Sequence, residues 1–338
     1  MPLVTMRQVL DEAAKGQYGV GSFNISNMEQ IQAVLGAARE TKSPVIVQVS
    51  RKARAHAGDD FLRHLVLAAV ESYPEIPFVL HQDHGNSPAL CQSAIDAGFT
   101  SVMMDGSLLE DGKTPSDFEY NVRVTRQVVE SAHSRGVSVE AELGTLGGIE
   151  DGHGAGLDPR AHLTDPDQAV EFVKRTNVDA LAIAVGTSHG AYKFRQQPGK
   201  DLLAIDLVER IHQKLPQTHL VMHGSSSVLR EQVDLVNRYG GRIRETWGVP
   251  FEIIRQGIRS GVRKINVDTD SRLAFTGAIR KMLAESPEAF DPRQYLQAAL
   301  TAMQEDVALH MRAFGQAGHA GDYAPRSLAE MAAFYRKQ

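Results

Sequence analysis

The stretch Pro77-Phe-Val-Leu-His-Gln-Asp-His-Gly85 passes from an apolar run to two histidines, a carboxylate and a glycine within nine residues. Its aromatic and β-branched first half reads as a buried strand, and His81, Asp83, His84 and Gly85 read as the point where that strand emerges into a polar cavity. The same arrangement recurs along the chain. Strand-like segments are expected at Tyr18–Asn24, Pro44–Ser50, Pro77–Asp83, Phe99–Asp105, Val137–Leu143, Asp179–Gly186, His219–Gly224 and Gly261–Asp268, each followed by an amphipathic helical stretch. Strands alternating with helices imply a parallel sheet, and eight such units imply a closed (β/α)8 TIM barrel.

Helix start signals agree with this spacing. Asn27 with Gln30, Ser116 with Glu119, and Asp165 with Pro166 and Gln168 read as capping patterns. Ser87-Pro88 places proline in a first turn, and Gly98 follows that helix. A helix from about Thr5 to Lys15, with Met6, Val9, Leu10 and Ala13 on one face, is expected to plug the N-terminal mouth of the barrel. Phe290-Asp-Pro-Arg293 starts a further helical stretch through Ala313, part of a C-terminal helical extension spanning about residues 287–338. No Pro/Ser-rich linker or internal repeat divides the chain, so residues 1–338 are expected to form a single domain.

Composition narrows the function. With 42% hydrophobic residues the chain can bury a large core, and a net charge of −5 argues against nucleic acid or an anionic membrane as partner. No run approaches the ~20 apolar residues of a membrane span, and no signal-like stretch follows Met1. Cys91 is the lone cysteine and lies on an apolar stripe with Leu90, Ala94 and Ile95, so it is expected in the core of a protein in a reducing, cytoplasmic setting.

The polar residues then fall at strand ends: Asn24, Ser50, Asp83 with His84, Asp105, Glu142, His189, His223, and Asn266 with Asp268. In a βα barrel these ends converge on one face, which carries the active site. Period-two alternation puts Ser138, Glu140 and Glu142 on one side of their strand, and Lys264, Asn266 and Asp268 on one side of theirs. Asp83 and His84 conflict, because neighbours in a regular strand face opposite ways. One of them is expected beyond the strand, where the chain curls at Gly85. Any single histidine could be an ordinary surface residue, but His84, His189 and His223 occupy the same place in three units, each directly before a glycine. Three neutral imidazoles suffice for a catalytic zinc with an open position. His56, His64, His133, His212 and His310 fall on expected helices and read as solvated.

A second constellation suits phosphate. His189-Gly-Ala-Tyr-Lys193, Gly224-Ser-Ser-Ser227 and Asn266-Val-Asp-Thr-Asp-Ser271 follow the sixth, seventh and eighth strands, with helix starts expected at Ser227 and Asp270. Glycine lets backbone N–H groups approach an oxyanion, and helix N-termini add their dipole. The glycine-rich segment Gly144–Gly156 is too irregular for either element and is read as a catalytic lid.

Taken together, Ser22-Phe-Asn-Ile-Ser-Asn-Met-Glu29, His81-Gln-Asp-His-Gly85, Val102-Met-Met-Asp-Gly-Ser107, Val139-Glu-Ala-Glu-Leu-Gly144, Gly147-Gly-Ile-Glu-Asp151, Gly186-Thr-Ser-His-Gly190, His223-Gly-Ser-Ser-Ser227 and Lys264-Ile-Asn-Val-Asp-Thr-Asp270 resemble the class II, metal-dependent fructose-1,6-bisphosphate aldolases, in order across almost the whole chain. The chain is most similar to the branch that includes Calvin-cycle aldolases. It differs from the plainest members in the connection Tyr239–Trp247, whose bearing on oligomerisation is open. The resemblance implies that His84, His189 and His223 hold Zn2+, with Asp105 and Glu142 as carboxylates for a second metal position. It implies Asp83 as proton carrier at the C4 hydroxyl and Glu150 as base toward the dihydroxyacetone-phosphate carbon. Asn24, Gly190, Lys193, Gly224, Ser226, Asn266, Asp268 and Thr269 would contact substrate, mainly at one phosphate. Ser50, Arg272 and Arg293 would receive the other. A monovalent cation and a homodimer or homotetramer are also implied.

This chemistry suits the residues. Cleaving the C3–C4 bond of a ketose bisphosphate leaves negative charge that spreads as an enediolate, which a divalent metal on neutral ligands stabilises. A mobile carboxylate can enter after substrate and exclude water. Tagatose or sedoheptulose bisphosphate remain open as substrates. A Schiff-base aldolase acting through Lys264 is a more distant possibility. So is a zinc hydrolase barrel, although the first strand has Gly21-Ser-Phe-Asn24 where such enzymes commonly carry His-x-His.

Overall fold

The computed structural model describes residues 2–144, 163–188, 190, 192, 194, 198–199 and 203–337. Eight parallel strands close into a barrel in sequence order: β1 (Val20–Asn24), β2 (Val45–Ser50), β3 (Phe78–Gly85), β4 (Ser101–Met104), β5 (Ser138–Leu143), β6 (Ala180–Ile183), β7 (His219–Met222) and β8 (Val262–Val267). Closure is made where β1 pairs with β8, Val20 opposite Lys264 and Ser22 opposite Asn266. Every expected strand is present, some of them shorter. The sixth ends at Ile183 because Ala184 N–H donates to Thr164 Oγ1 and its carbonyl accepts from Thr164 N–H, which takes the chain out of the ladder.

The outward-facing strand residues and the helices form one large apolar cluster, in which Cys91 is fully buried and its thiol is pushed up to about 12 by that burial. A second cluster fills the lower barrel. Met6, Val9, Leu10 and Ala13 of the helix Met6–Gly16 pack on the inward residues Val20, Ile46, Val79, Ala180, Ala182 and Val221, so this helix is the plug. Above that layer the inward residues turn polar, as alternation on β1, β5 and β8 requires.

Local chemistry agrees with the expected caps at Asn27, Ser87 and Asp165, each of which accepts a backbone N–H from the first turn. The cap expected at Ser116 is instead Asp117, whose carboxylate accepts from Tyr120 N–H at 2.7 Å; the Ser116 hydroxyl turns to the Gly106 carbonyl. No helix starts at Ser227. The next one runs Arg230–Arg238, because the Ser227 and Val228 N–H groups are bound to the Asp270 carboxylate.

The extension contains the expected helix, Pro292–Ala313, capped by Asp291, and a helix Leu328–Tyr335 closed by a Ser327–Glu330 capping box. The latter lies under the barrel: Tyr335 OH donates to Asp179 Oδ1 at 2.9 Å, and its ring stacks on His133 at 3.7 Å. His133 and His310 are therefore not solvated. His133 is 2.9 Å from Asp179 Oδ2, and His310 is fully buried 3.0 Å from Asp270 Oδ2. Their helices present these imidazoles to buried carboxylates rather than to water. Among the described residues no helix is long and apolar enough to cross a membrane.

Candidate metal and sugar-phosphate site

β3 departs from regularity where the chemistry begins. Its register with β4 shifts between Gln82 and Gly85, and His84 takes φ +46°, a left-handed conformation uncommon for a non-glycine residue. This kink resolves the Asp83–His84 conflict, since both side chains reach the same cavity from within one strand. Gly85 is required at the kink: a Cβ there would lie 2.5 Å from the Met103 carbonyl oxygen and 2.6 Å from Cys91 Sγ.

His84 Nδ1 lies 3.0 Å from Asp105 Oδ2, which leaves Nε2 facing the cavity. His223, just beyond β7, has Nε2 2.7 Å from Glu140 Oε1 and presents Nδ1 to His84 Nε2 at 3.2 Å. Each imidazole therefore has one nitrogen backed by a carboxylate and the other turned to a shared point, the arrangement that fixes the tautomer of a metal-ligating histidine. Asp83 joins them, with ligand atoms of Asp83, His84 and His223 all within 4.8 Å of one another, as are those of His84, Asp105 and Glu142. Asp83 Oδ1 is buried without a hydrogen-bond partner among the described residues. A cation fits this donor set.

The electrostatics agree. Burial alone would lower the His84 pKa, but Asp83, the Asp105 hydrogen bond and Glu142 push it up to about 10, so the surroundings favour positive charge at this point. His223 is held below its ordinary value by burial, partly offset by Glu140. Burial would raise the Glu140 carboxyl, but Lys264 and the His223 hydrogen bond overcome it and hold the group well below the usual range. Lys264 Nζ is 2.8 Å from Glu140 Oε2 and donates to Asn266 Oδ1 at 2.7 Å; both Lys264 and Glu140 are fully buried. Burial and Lys264 keep His81 neutral, so its 3.4 Å approach to Glu140 is a polar contact rather than an ion pair. Glu140 had been legible only as an inward-facing residue. Its role as the support of His223 shows only in the folded barrel, where its two carboxylate oxygens meet His223 Nε2 and Lys264 Nζ.

On the opposite rim, a cavity of about 360 Å³ is lined by Asn24, Ser50, Lys52, His56, Asp268 and Arg272, among others. Ser50 and Arg272, expected at one phosphate, thus share a cavity. Arg293 does not line it; 89% exposed at the start of the helix Pro292–Ala313, it pairs with Asp291 at 2.6 Å. His56, read as solvated from its helix, thus lines the cavity together with Lys52, and both lie within the first two turns after the β2 end. The second expected phosphate region is brought together around β7 and β8. Ser226 Oγ accepts from the N–H groups of Asp268 and Thr269 at 3.2 and 3.1 Å. Gly224, at φ +62°, has no room for a Cβ, which would lie 2.5 Å from the Ser188 carbonyl oxygen. Gly190 also has positive φ, and Asn266 lies inward on β8. His189, Lys193 and residues 145–156 of the expected lid, Glu150 among them, lie outside the described residues.

A parallel barrel with a carboxylate-backed histidine pair and a polar rim at its C-terminal end defines a metal-dependent barrel enzyme. The sequence profile described as fructose-bisphosphate aldolase class-II matches residues 4–319, and the chain belongs to that family of lyases. It is 59% identical over 346 residues to a fructose-bisphosphate aldolase of Nostoc commune, covering 100% of this chain and 96% of the relative. To the fructose-bisphosphate aldolase of Pseudomonas aeruginosa it is 57% identical over 340 residues, covering 98% and 96%. Among solved structures it is similar to a putative fructose-1,6-bisphosphate aldolase from Coccidioides immitis, with TM-score 0.75, 26% identity, and coverage of 93% and 97%. It is also similar to the YdjI aldolase from Escherichia coli K12, with TM-score 0.73, 28% identity, and coverage of 94% and 99%.

Proposed function

We propose that the protein catalyses the reversible aldol cleavage of fructose 1,6-bisphosphate to dihydroxyacetone phosphate and glyceraldehyde 3-phosphate. The observation that carries this is the approach of His84 Nε2 and His223 Nδ1 to 3.2 Å beside Asp83, in a chain that belongs to the class II aldolase family. His84, His223 and His189 would hold Zn2+, with Asp105 and Glu142 at a second divalent position. When bound, the divalent ion supplies a Lewis acid that stabilises negative charge on the substrate oxygen.

The chain's own groups do the rest. Asp83 accepts the proton of the C4 hydroxyl as the C3–C4 bond breaks in cleavage and returns it to that oxygen in condensation. Glu150 is assigned the proton at the dihydroxyacetone-phosphate carbon. Ser50 and Arg272 anchor one phosphate. Gly190, Lys193, Gly224, Ser226, Asn266, Asp268 and Thr269 anchor the other, near a monovalent cation, while Asn24 contacts the sugar between them. Substrate positioning by two anchored ends leaves the C3–C4 bond beside Asp83.

A Schiff base on Lys264 is disfavoured, because its ammonium is fully buried between Glu140 and Asn266. A cytoplasmic homodimer or homotetramer acting on free sugar phosphate completes the reading. The test is a coupled triose-phosphate assay on fructose, tagatose and sedoheptulose bisphosphates, with and without chelator, alongside metal analysis. Fructose bisphosphate should be cleaved fastest and chelation should abolish the rate; cleavage indifferent to chelator would refute the metal-dependent reading.

A further inference from the structure

The loop after β7 is fastened to the start of the helix Thr269–Glu285 in both directions. Ser226 Oγ accepts from the Asp268 and Thr269 N–H groups, and Asp270 returns the bond: its Oδ2 accepts from Ser227 N–H at 2.6 Å and its Oδ1 from Val228 N–H at 2.5 Å. Val228 pays no small strain for this, since φ +49° is an outlier for a β-branched residue. Such a conformation persists only where the surroundings over-determine it.

What holds Asp270 comes from the far end of the chain. His310, on the helix Pro292–Ala313, places Nε2 3.0 Å from Asp270 Oδ2 and Nδ1 2.8 Å from the Asp306 carbonyl oxygen. Two acceptors require two N–H donors, so this imidazole is the charged form. It is fully buried, boxed edge-on by Phe23, Phe251 and Phe314. The neighbouring carboxylate of Asp306, 3.6 Å from Nδ1, accepts in turn from Gln232 Nε2 at 2.8 Å, on the helix that follows the same loop. Asp270 and His310 touch neither the histidine pair nor the Ser50–Arg272 cavity.

We infer that the Asp270–His310 pair is a positioning device for the sugar-phosphate end of the substrate, pinning Ser227 and Val228 so that the loop carrying Gly224 and Ser226 keeps the shape that receives a phosphate. This rests on the assignment of that loop as a phosphate site. It gives the C-terminal extension a part in substrate affinity although no residue of its helix need reach the ligand.

The experiment uses the metal-loaded full chain and four variants: His310→Leu, His310→Gln, Asp270→Asn and Gly224→Ala. The readouts are KM and kcat for fructose bisphosphate, the inhibition constant of inorganic phosphate, and circular dichroism to confirm folding. His310→Leu and Asp270→Asn should raise both KM and the phosphate constant about tenfold with kcat within about threefold, the loss of one charge-assisted hydrogen bond. His310→Gln, which keeps an N–H toward Asp270, should recover most of the affinity. Should His310→Leu not fold, Asp270→Asn, nearly identical in shape, decides alone. KM and phosphate constants within about twofold of the parent in folded variants would overturn the inference. Gly224→Ala separates the two layers: if it weakens phosphate while Asp270→Asn does not, the loop assignment stands and the positioning role falls. If Gly224→Ala leaves phosphate inhibition unchanged, the loop assignment itself fails and the inference falls with it.

Discussion

Below its midpoint the barrel interior is Val20, Ile46, Val79, Ala180, Ala182 and Val221 packed on Met6, Val9 and Leu10; above it, the same strands and their neighbours present Gln48, His81, Asp83, Glu140, Glu142, His223 and Lys264. Both regions are almost completely removed from water. In the lower one burial is favourable for each of these apolar side chains, and their packing needs no polar partner. In the upper one burial opposes every charge, and each is retained by a neighbour of opposite sign or a hydrogen bond: Lys264 on Glu140, Glu140 on His223, His84 on Asp105. One barrel therefore carries a stabilising floor and a reactive ceiling, and substitutions in the two should separate stability from activity.

The largest separation is expected at His84. His84→Ala should lower kcat/KM at least ~10³-fold, by loss of the group facing His223, while the melting temperature changes little. A coupled triose-phosphate assay and a thermal melt on the same preparation check it; a large fall in melting temperature would erase the proposed division. Next is the Glu140–Lys264 pair, where the ceiling has a structural cost. Glu140→Gln or Lys264→Met alone should destabilise by about 3–5 kcal/mol through the charge left behind, and the double variant by clearly less. Urea unfolding of the four proteins gives the coupling directly. At the floor, Leu10→Ala should cost about 2–5 kcal/mol with kcat unchanged at temperatures where the variant is folded. Reduced kcat in the folded variant would join the two regions that the comparison separates.

The smallest effect is pH-dependent and concerns the third buried charge group. Burial would depress His310, but Asp306 and Asp270 push it up to about 9 from an ordinary 6.5. A raised pKa means the native state binds the proton more tightly. Its contribution is complete below about pH 6.5 and is lost as pH rises through about 9, on the order of 3 kcal/mol in all. Asp306, itself raised to about 6 by burial despite His310, acts in the same sense at lower pH. Unfolding free energies from pH 6 to 10 should therefore fall more steeply for the parent than for His310→Gln.

How much of this the sequence carried depends on range. Strand number, the plug helix and the ends of the strands were legible because period-two and period-3.6 patterns are local. So was the gathering of Asp83, His84, Asp105, Glu142 and His223 in one place and of Asn24, Ser50, Asp268 and Arg272 in another, because barrel topology converts strand ends into neighbours. The backbone turn that lets Asp83 and His84 share a cavity was not, since φ +46° at a histidine is imposed by the β3–β4 register shift and by Gly85 against Met103. Nor were the partners of His133 and His310, because an imidazole on a helix looks the same whether it meets water or a carboxylate from elsewhere in the chain. Glu140 could be placed inside but not joined to His223, which depends on how β5 and β7 stagger around the barrel. The helix Leu328–Tyr335 had only its capping box to announce it.

The seam between β1 and β8 has a consequence for how the molecule comes into being. Val20 waits for Lys264, so during synthesis the first strand leaves the ribosome long before its eighth-strand partner exists. Until then the nascent sheet has two open margins of unpaired amides, a state prone to self-association. The underside is sealed later still, when Tyr335 reaches Asp179. Vectorial emergence thus delivers the parts in order, yet the ring itself can close only after Val267 has emerged, which predicts that nascent chains released before Val267 will be bound by chaperones more strongly than the 338-residue chain.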